Sequence, residues 1–210
     1  MKLFRNRLRP GLYLFLGAIV ALPALLALPQ HAAPQMAADA RLFKVDPEKS
    51  AVHWTLDSSL HTVHGVFALK SGKLRLDPAT GKAEGEIIVD ATSGQSGNDG
   101  RDRKMHKEVL ESAKFSEIVF RPDSITGNLA PKGESTVQLH GRFLIHGGEH
   151  EFTVPLQARL AEDHWTASAK FTIPYIEWGL KNPSTWLLKA DHSVGVDLKL
   201  QGTVQASGPQ

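Results

Sequence analysis

Apolar and polar residues alternate along most of the chain, which is the pattern of β-strands with one buried face. Five segments show the alternation most clearly, one near Trp54 and four in the second half of the chain. The apolar members of these rows are Val52, Trp54 and Leu56; Val137, Leu139, Gly141, Phe143 and Ile145; Phe152, Val154, Leu156, Ala158 and Leu160; Trp165, Ala167, Ala169, Phe171 and Ile173; and Val194, Val196, Leu198, Leu200 and Val204.

Turn residues between the rows predict that successive strands run antiparallel. The pair Gly147-Gly148 is suited to a two-residue hairpin turn, and the pair Glu162-Asp163 has the same length. These turns would place three pairs of residues opposite each other: Phe143 and Phe152, Leu139 and Leu156, and Leu160 and Trp165. Both registers put the apolar rows on one face of a single sheet, whereas a slip of one residue would turn a row to water.

The segment 102–112 has instead the spacing of a short amphipathic helix, with Met105 and Val109 four residues apart and charged residues elsewhere. Either Asp99 or Asp102 is suited to cap its start. Roughly eight or nine strands and one helix predict an all-β fold, as a sandwich or a closed barrel. A closed barrel has the advantage that it leaves no strand edge exposed.

The interior of a small barrel is either filled by its own side chains or holds one small ligand. The inward rows mix large and small residues; the small ones are Gly141, Ala167 and Ala169, with Gly195 and Gly202 near the last row. Small residues leave volume unless large residues opposite fill it, so the pattern leaves both interiors open. Because no inward row carries an obvious charge, a cavity would suit an apolar ligand, which gains ~0.8 kcal/mol of gross transfer energy per buried CH₂.

The first 40 residues have the anatomy of a secretory signal peptide. The chain begins with the basic residues Lys2, Arg5, Arg7 and Arg9, followed by an apolar run over 12–28 and small residues up to Ala40. A retained membrane anchor is the alternative, since about 17 apolar residues just span a bilayer, but Pro23 favours cleavage. We therefore predict a signal peptide over 1–40, one domain over 41–210, and a periplasmic or secreted protein.

Composition and charge exclude several other classes of function. The chain has no Cys, which rules out disulfides, thiol catalysis and Cys-based zinc sites. Removal of residues 1–40 leaves 20 basic and 21 acidic residues, a net charge of −1, so no basic surface for nucleic acid is expected. No phosphate-binding loop, dinucleotide fingerprint or Gly-x-Ser-x-Gly motif is present. His61 and His64 lack a third ligand at suitable spacing, so exposed histidines are favoured over a metal site.

Several stretches, in order along nearly the whole domain, resemble the YceI-like family of bacterial periplasmic or secreted polyisoprenoid-binding proteins. The stretch 98–102 is similar to the family's Asn-x-x-Arg-Asp start of its helix, and 139–147 is similar to its G-x-L-x-I-x-G strand. The other matching stretches are 43–52, 65–67, 72–74, 110–115 and 118–120. Two stretches depart from the family: 116–119 lacks the common Tyr-Pro pair, and the loop 175–184 lacks the common Arg-Ser-Asp.

The resemblance implies a lipocalin-like antiparallel barrel of eight strands with one short helix, and no catalysis. Its lumen would take the tail of an isoprenoid quinone or polyprenyl lipid, for storage or transport. The alternative is a non-catalytic stress-protection or interaction protein with a filled core. The expected partner is an amphiphilic isoprenoid lipid, with no nucleic acid, metal or further cofactor; transient membrane contact and a homodimer stay open.

The alternation also predicts which residues face the lumen. The predicted lining residues are Val52, Trp54, Leu139, Phe143, Phe152, Val154, Leu156, Trp165, Phe171, Val196 and Leu198. Arg101, Asp102, Trp178 and Trp186 are predicted near the mouth. Each of these four has a simpler interpretation, because Arg101 and Asp102 also suit a helix start and the two Trp residues also suit a cover over the barrel end.

Overall fold

The computed structural model describes residues 40–206, so the predicted signal peptide lies outside the described residues. The strands of this part are β1 (Arg41–Val45), β2 (Ala51–Leu56), β3 (Val63–Phe67), β4 (Leu69–Asp77), β5 (Lys82–Asp90), β6 (Glu117–Asn128), β7 (Gly133–Ile145), β8 (Gly148–Ala161), β9 (His164–Ile173) and β10 (Val194–Ala206). One helix, α1 (Asp99–Lys104), continues as a π-helical turn over Met105–Val109.

These strands close into an antiparallel barrel of eight staves. Neighbours follow the order β1-β4-β5-β6-β7-β8-β9-β10, and β10 pairs back onto β1. The strand β10 pairs with β2 over Gly195–Lys199 and with β1 over Gly202–Ala206, so β1 and β2 are two halves of one stave. The strands β3 and β4 form another interrupted stave beside them. The predicted all-β, eight-stranded antiparallel barrel with one short helix is confirmed.

The stave formed by β1 and β2 is broken at Pro47, which has no N–H to donate to a ladder. A short 3-10 turn, Pro47–Lys49, stands between the two strands, and the Asp46 carboxylate accepts a hydrogen bond from the Glu48 N–H. The Ser50 hydroxyl donates to the Asp46 carbonyl and accepts from the Gln201 N–H of β10. These bonds hold both halves of the stave on β10.

The register of the hairpin between β7 and β8 differs from the prediction by two residues. Ile145 pairs with Gly148, so the turn is formed by His146 and Gly147 rather than by two glycines. Consequently Phe143 lies opposite His150, not Phe152. Because side chains alternate with a period of two, a shift of two residues keeps the same rows facing inward. The hairpin between β8 and β9 has the predicted register, with Leu160 opposite Trp165.

The helix begins three residues earlier than predicted and is capped by a different residue. The side chain of Asn98 accepts a hydrogen bond from the Arg101 N–H, so neither Asp99 nor Asp102 is the cap. The apolar face of this segment, which includes Met105 and Leu110, covers one end of the barrel. Within residues 40–206, no helix has both the length and the apolar character needed to cross a membrane.

Candidate ligand-binding cavity

The barrel is hollow. Its interior holds a cavity of about 560 Å³, within the range of ligand pockets in proteins. Every strand residue that lines it is apolar or aromatic. Val137 and Ile145 both line the cavity and are eight residues apart on β7, so the cavity extends ~26 Å along that strand.

One end of the cavity is closed by buried aromatic and aliphatic side chains. The rings of Phe43 and Trp165 meet edge to face with centroids 5.5 Å apart, and both residues are almost fully buried. The Trp165 indole Nε1 donates hydrogen bonds to the carbonyl oxygens of Lys44 and Thr203, at 3.3 and 3.1 Å. Leu129 lies in the connection between β6 and β7 and is also buried at this end. The indole is therefore fixed in place as the floor of the cavity.

The opposite end carries the mouth. Three solvent-exposed residues line the cavity, His61, Gly100 and Thr185, and all belong to segments at this end of the barrel. The mouth is formed by the loop 57–62, the helix α1 and the loop 183–190. The two loops are joined by hydrogen bonds between Ser59 and Lys189, from the Ser59 N–H to the Lys189 carbonyl and from the Lys189 N–H to the Ser59 hydroxyl.

The structure places ten of the eleven predicted lining residues on the cavity wall, so the alternation identified the inward face. Their contact with a ligand stays a prediction. The correction is Phe152, which does not line the cavity. Its ring packs within an aromatic cluster near the mouth end of β8, with centroids 5.5 Å from Phe143, 5.5 Å from Phe171 and 5.8 Å from Trp178.

The aromatic cluster also explains the position of Trp178, which was predicted at the mouth. Its indole stacks on the His150 ring with centroids 4.5 Å apart and planes 3° apart, and it packs on Phe143. Trp178 does not line the cavity and covers the barrel end beside β8 instead. Among the described residues, the opening therefore lies on the side of the barrel end framed by α1, the loop 57–62 and the loop 183–190.

Of the other predicted mouth residues, only Arg101 lines the cavity. The Asp102 carboxylate turns to the preceding loop, where it accepts hydrogen bonds from the Ser96 N–H and hydroxyl. Burial raises the pKa of Asp102, but the hydrogen bonds from Ser96 outweigh it and hold that pKa below its usual range. Trp186 projects into solvent, with 86% of its surface exposed, and does not contact the cavity.

Several lining residues were not identified from the sequence. Phe67, Ile87 and Phe120 line the cavity from β3, β5 and β6, and Lys104 lines it from α1. The signal for Lys104 was present, since it is three residues after Arg101 and directly before Met105 of the apolar helix face. Phe67, Ile87 and Phe120 lie on short or bulged strands, in which the alternation of apolar and polar residues is hard to recognise. An example is the irregularity of β6 between Pro122 and Ser124.

A buried tyrosine fixes the loop that follows β9. The Tyr175 hydroxyl donates to the Asp191 carbonyl at 2.7 Å, which joins the two ends of the segment 174–193. Burial raises the pKa of Tyr175 to about 12. Tyr175 also lines the cavity and thus connects the wall to the loop that bears Thr185.

The histidines of this region do not assemble a metal site. His64 lies on β3 and contacts the Thr55 hydroxyl at 3.1 Å, while His61 lies in the loop at the mouth. Among residues 40–206, no three His, Asp or Glu side chains converge in a group that could hold a metal ion. Shape and apolar character therefore define this site, with polar groups confined to its mouth.

Comparison with known proteins agrees with this architecture. The sequence pattern of the YceI-like domain matches residues 43–206, which is most of the chain. The chain belongs to the YceI-like family. No match was found among curated proteins.

Solved structures similar to this YceI-like chain share its fold at low sequence identity. BcnA of Burkholderia cenocepacia is 17% identical with a TM-score of 0.60, over 76% of this chain and 99% of its own. A polyisoprenoid-binding domain from Saccharophagus degradans, implicated in plant cell wall breakdown, is 19% identical with a TM-score of 0.59, over 79% and 98%. The Campylobacter jejuni YceI protein is 13% identical with a TM-score of 0.52, over 69% and 86%.

Proposed function

We propose that this protein binds the tail of an isoprenoid lipid, a quinone or polyprenyl compound, inside the barrel and stores or carries it without catalysing a reaction. The observation that carries the proposal is the long apolar cavity that the described residues enclose, with a closed floor at one end and a mouth at the other. Membership of the YceI-like family and the likeness to a polyisoprenoid-binding domain support it. The signal-peptide pattern of residues 1–40 supports a periplasmic or secreted location.

The cavity counts against the alternative function, which assumes a filled core. A dry apolar cavity of this size lowers stability when empty, because its walls lack packing partners. A hydrocarbon chain restores those contacts and leaves no polar group unpaired. With ~0.3 kcal/mol per heavy atom as a realistic yield, a chain of some tens of carbons reaches micromolar or tighter affinity. A homodimer is not needed for this function and stays a prediction.

The test of the proposed function is direct identification of bound lipid. Protein purified from its native host and extracted with organic solvent is expected to release an isoprenoid lipid, detected by mass spectrometry. Stripped protein is expected to bind a supplied long-chain quinone with saturable quenching of tryptophan fluorescence, because Trp54 and Trp165 line the cavity. A barrel that yields no isoprenoid and binds none would contradict the proposal.

A membrane is the expected source and destination of such a lipid, and the structure suggests where contact would occur. Three large apolar side chains are exposed around the mouth and form what we name the apolar collar: Leu60 (69% exposed), Trp186 (86%) and Leu187 (63%). They sit on the two loops that frame the opening. Aromatic and aliphatic side chains of this kind partition into the interfacial region of a bilayer. Contact through the collar would bring the mouth directly onto the lipid surface.

The variant Trp186→Ser/Leu187→Ser is expected to bind lipid vesicles about tenfold more weakly, because two apolar side chains are lost from the collar. Vesicle co-sedimentation measures this, and transfer of a quinone between vesicles should slow to a similar degree. Affinity for a quinone in solution should stay unchanged, since neither side chain lines the cavity. Equal vesicle binding by variant and parent protein would exclude the collar as the contact surface.

A further inference from the structure

One segment of the mouth is anchored less firmly than the rest. Residues 182–189, which we name the strap, contain no buried residue, whereas Leu180 before them and Ala190 after them are buried. The other parts of the mouth are better fixed, because the short loop 57–62 joins β2 directly to β3 and because Leu110 packs the helical segment onto the barrel end. A segment without buried apolar contacts opens at a low cost in free energy.

Hydrogen bonds fix the two ends of the strap and hold it together as a unit. The Tyr175 carbonyl accepts from the Leu180 N–H at 3.0 Å, and the Tyr175 hydroxyl donates to the Asp191 carbonyl at 2.7 Å. Within the strap, the Thr185 N–H donates to the Leu188 carbonyl at 2.8 Å, and the Leu188 N–H donates to the Thr185 hydroxyl at 3.1 Å. These bonds persist if the strap rotates about its two ends, which is a hinge motion.

Two latches hold the strap over the mouth. At one end, the Lys104 ammonium of α1 donates to the Pro183 carbonyl at 2.9 Å. At the other end, the Ser59 N–H donates to the Lys189 carbonyl at 2.8 Å, and the Lys189 N–H donates to the Ser59 hydroxyl at 3.1 Å. Water replaces each partner when the strap lifts, so the net cost of releasing the latches is far below the gross strength of three hydrogen bonds.

The strap has apolar side chains on both of its faces. Pro183 and Leu188 line the cavity, as does Thr185 at the opening. Trp186 and Leu187 of the apolar collar project outward, with 86% and 63% of their surface exposed. These two large side chains leave water only when an apolar partner covers them. A bilayer is such a partner, and it is also the expected source and destination of the ligand.

From this arrangement we infer that the strap is a lid, which is latched closed in solution and swings outward when the apolar collar enters a bilayer. The inference rests on the proposed function, since it requires the ligand to be a lipid that is exchanged with a membrane. Insertion of Trp186 and Leu187 into the bilayer offsets the loss of the latches to Lys104 and Ser59. The same movement carries Leu188 off the mouth, so the cavity opens at the surface to which the lipid is delivered.

The test locks the lid with a disulfide. The chain has no Cys, so the variant Ser59→Cys/Lys189→Cys can form a single intramolecular disulfide. The two residues face each other in an antiparallel pairing, next to the bridge between Ser58 and Ala190. Opposite residues in such a pairing have Cα atoms ~4.5–5.5 Å apart, which suits a disulfide. Mass spectrometry checks that the bond has formed, and a reductant reverses it.

The measured quantity is the rate at which loaded protein releases a naphthoquinone with a geranylgeranyl tail into phosphatidylcholine vesicles, followed by the recovery of tryptophan fluorescence. The oxidised variant is expected to release the quinone at least about tenfold more slowly than its reduced form, although it binds vesicles as the parent does. Its equilibrium affinity in solution should stay within about twofold, because a lid slows binding and release alike. The control Thr136→Cys/Gln157→Cys joins opposite exposed residues of β7 and β8 and should leave the rate unchanged in both redox states.

A second variant weakens a latch and should have the opposite effect. Lys104→Met removes the hydrogen bond to the Pro183 carbonyl. Without vesicles, release to a cyclodextrin acceptor is expected to become about tenfold faster, the typical effect of losing one hydrogen bond from a charged group. The matched control is Lys107→Met, at an exposed position of the same helical segment that does not line the cavity, and it should release the quinone as the parent does. Circular dichroism checks that every variant is folded.

The outcomes distinguish the lid from the proposed function. Equal release rates of the oxidised and reduced forms, or an unchanged rate in Lys104→Met, overturn the lid and leave isoprenoid binding intact. Failure of the two thiols to join would mean that Ser59 and Lys189 are not latched in solution, and it would overturn the lid as well. If the parent protein binds no isoprenoid, the proposed function is wrong and the lid falls with it.

Discussion

The variant Ala167→Trp is expected to bind a long-chain isoprenoid about 100-fold more weakly than the parent protein. Ala167 lines the cavity on β9 and pairs with Ala158 of β8, which also lines it. The side chains that project into the cavity are therefore shortest at this pair. An indole at this position adds about nine heavy atoms and displaces a similar number of ligand atoms. At ~0.3 kcal/mol per atom, the loss is about 3 kcal/mol, or about two orders of magnitude in Kd.

The matched control for this change is Thr166→Trp, which places the same ring on the exposed outer face of the same strand. It should bind lipid as the parent does. Because the cavity has room for the added ring, Ala167→Trp should stay folded, as measured by circular dichroism and thermal denaturation. Ala158→Trp fills the same region from the neighbouring strand and should reproduce the loss. Undiminished affinity in both folded variants would place the ligand outside the lumen.

The inward face of the barrel was predictable from sequence, and the register of one hairpin was not. The turn between β7 and β8 is formed by His146 and Gly147, with φ angles of 50° and 78°. The glycine pair Gly147-Gly148, which the sequence favours for the turn, begins one residue later. The ring of Phe115, which is distant in sequence, packs on His146 with centroids 4.8 Å apart. Local sequence favours glycine where φ is positive, but this tertiary contact supports a histidine there.

The alternation of apolar and polar residues could not show whether the interior is hollow. The pattern identifies the side chains that face inward, but not whether side chains from opposite walls touch each other. Small residues illustrate the difficulty. Ala158 and Ala167 do leave volume, since both line the cavity. Gly141 does not line it, and a Cβ there would overlap the Arg121 backbone of β6. The same residue type therefore serves a cavity at one position and a close approach of backbones at another.

Of the two cations that line the cavity mouth, only one was predicted from the sequence. Arg101 was predicted near the mouth from its place in a family-like stretch, and Lys104 was not. Their shared position on the cavity wall depends on which face of α1 turns to the lumen, and this orientation follows from the packing of Met105 and Leu110 onto the barrel end. The aromatic cluster around Trp178 depends similarly on contacts between distant segments. The sequence predicted the wall of the site better than its mouth, because the wall consists of strands in which inward and outward side chains alternate with a period of two residues. The mouth depends on how loops and a helix pack together.

Gly202→Ala is expected to lower the free energy of unfolding by about 3 kcal/mol, although it adds one methyl group. Gly202 lies on β10 between β1 and β9, opposite Val45 and Trp165. A Cβ at this position would overlap the carbonyl oxygen of Lys44 and lie 3.0 Å from the Trp165 Nε1. Both atoms belong to the hydrogen bond that fixes the cavity floor. The methyl group must therefore push β1 away or break that bond.

A glycine of the same strand supplies the control for Gly202→Ala. A Cβ at Gly195 would make ordinary contacts of 3.7 and 3.9 Å with Thr55, so Gly195→Ala should be neutral or slightly stabilising. Thermal denaturation should show a Tm for Gly202→Ala lower by about 6–12 °C than that of the parent. Because the indole of Trp165 loses its fixed position, ligand affinity should fall as well, whereas Gly195→Ala should bind normally. Equal Tm values for the two variants would mean that β1 and β10 have room to separate, and that the floor does not depend on their close approach.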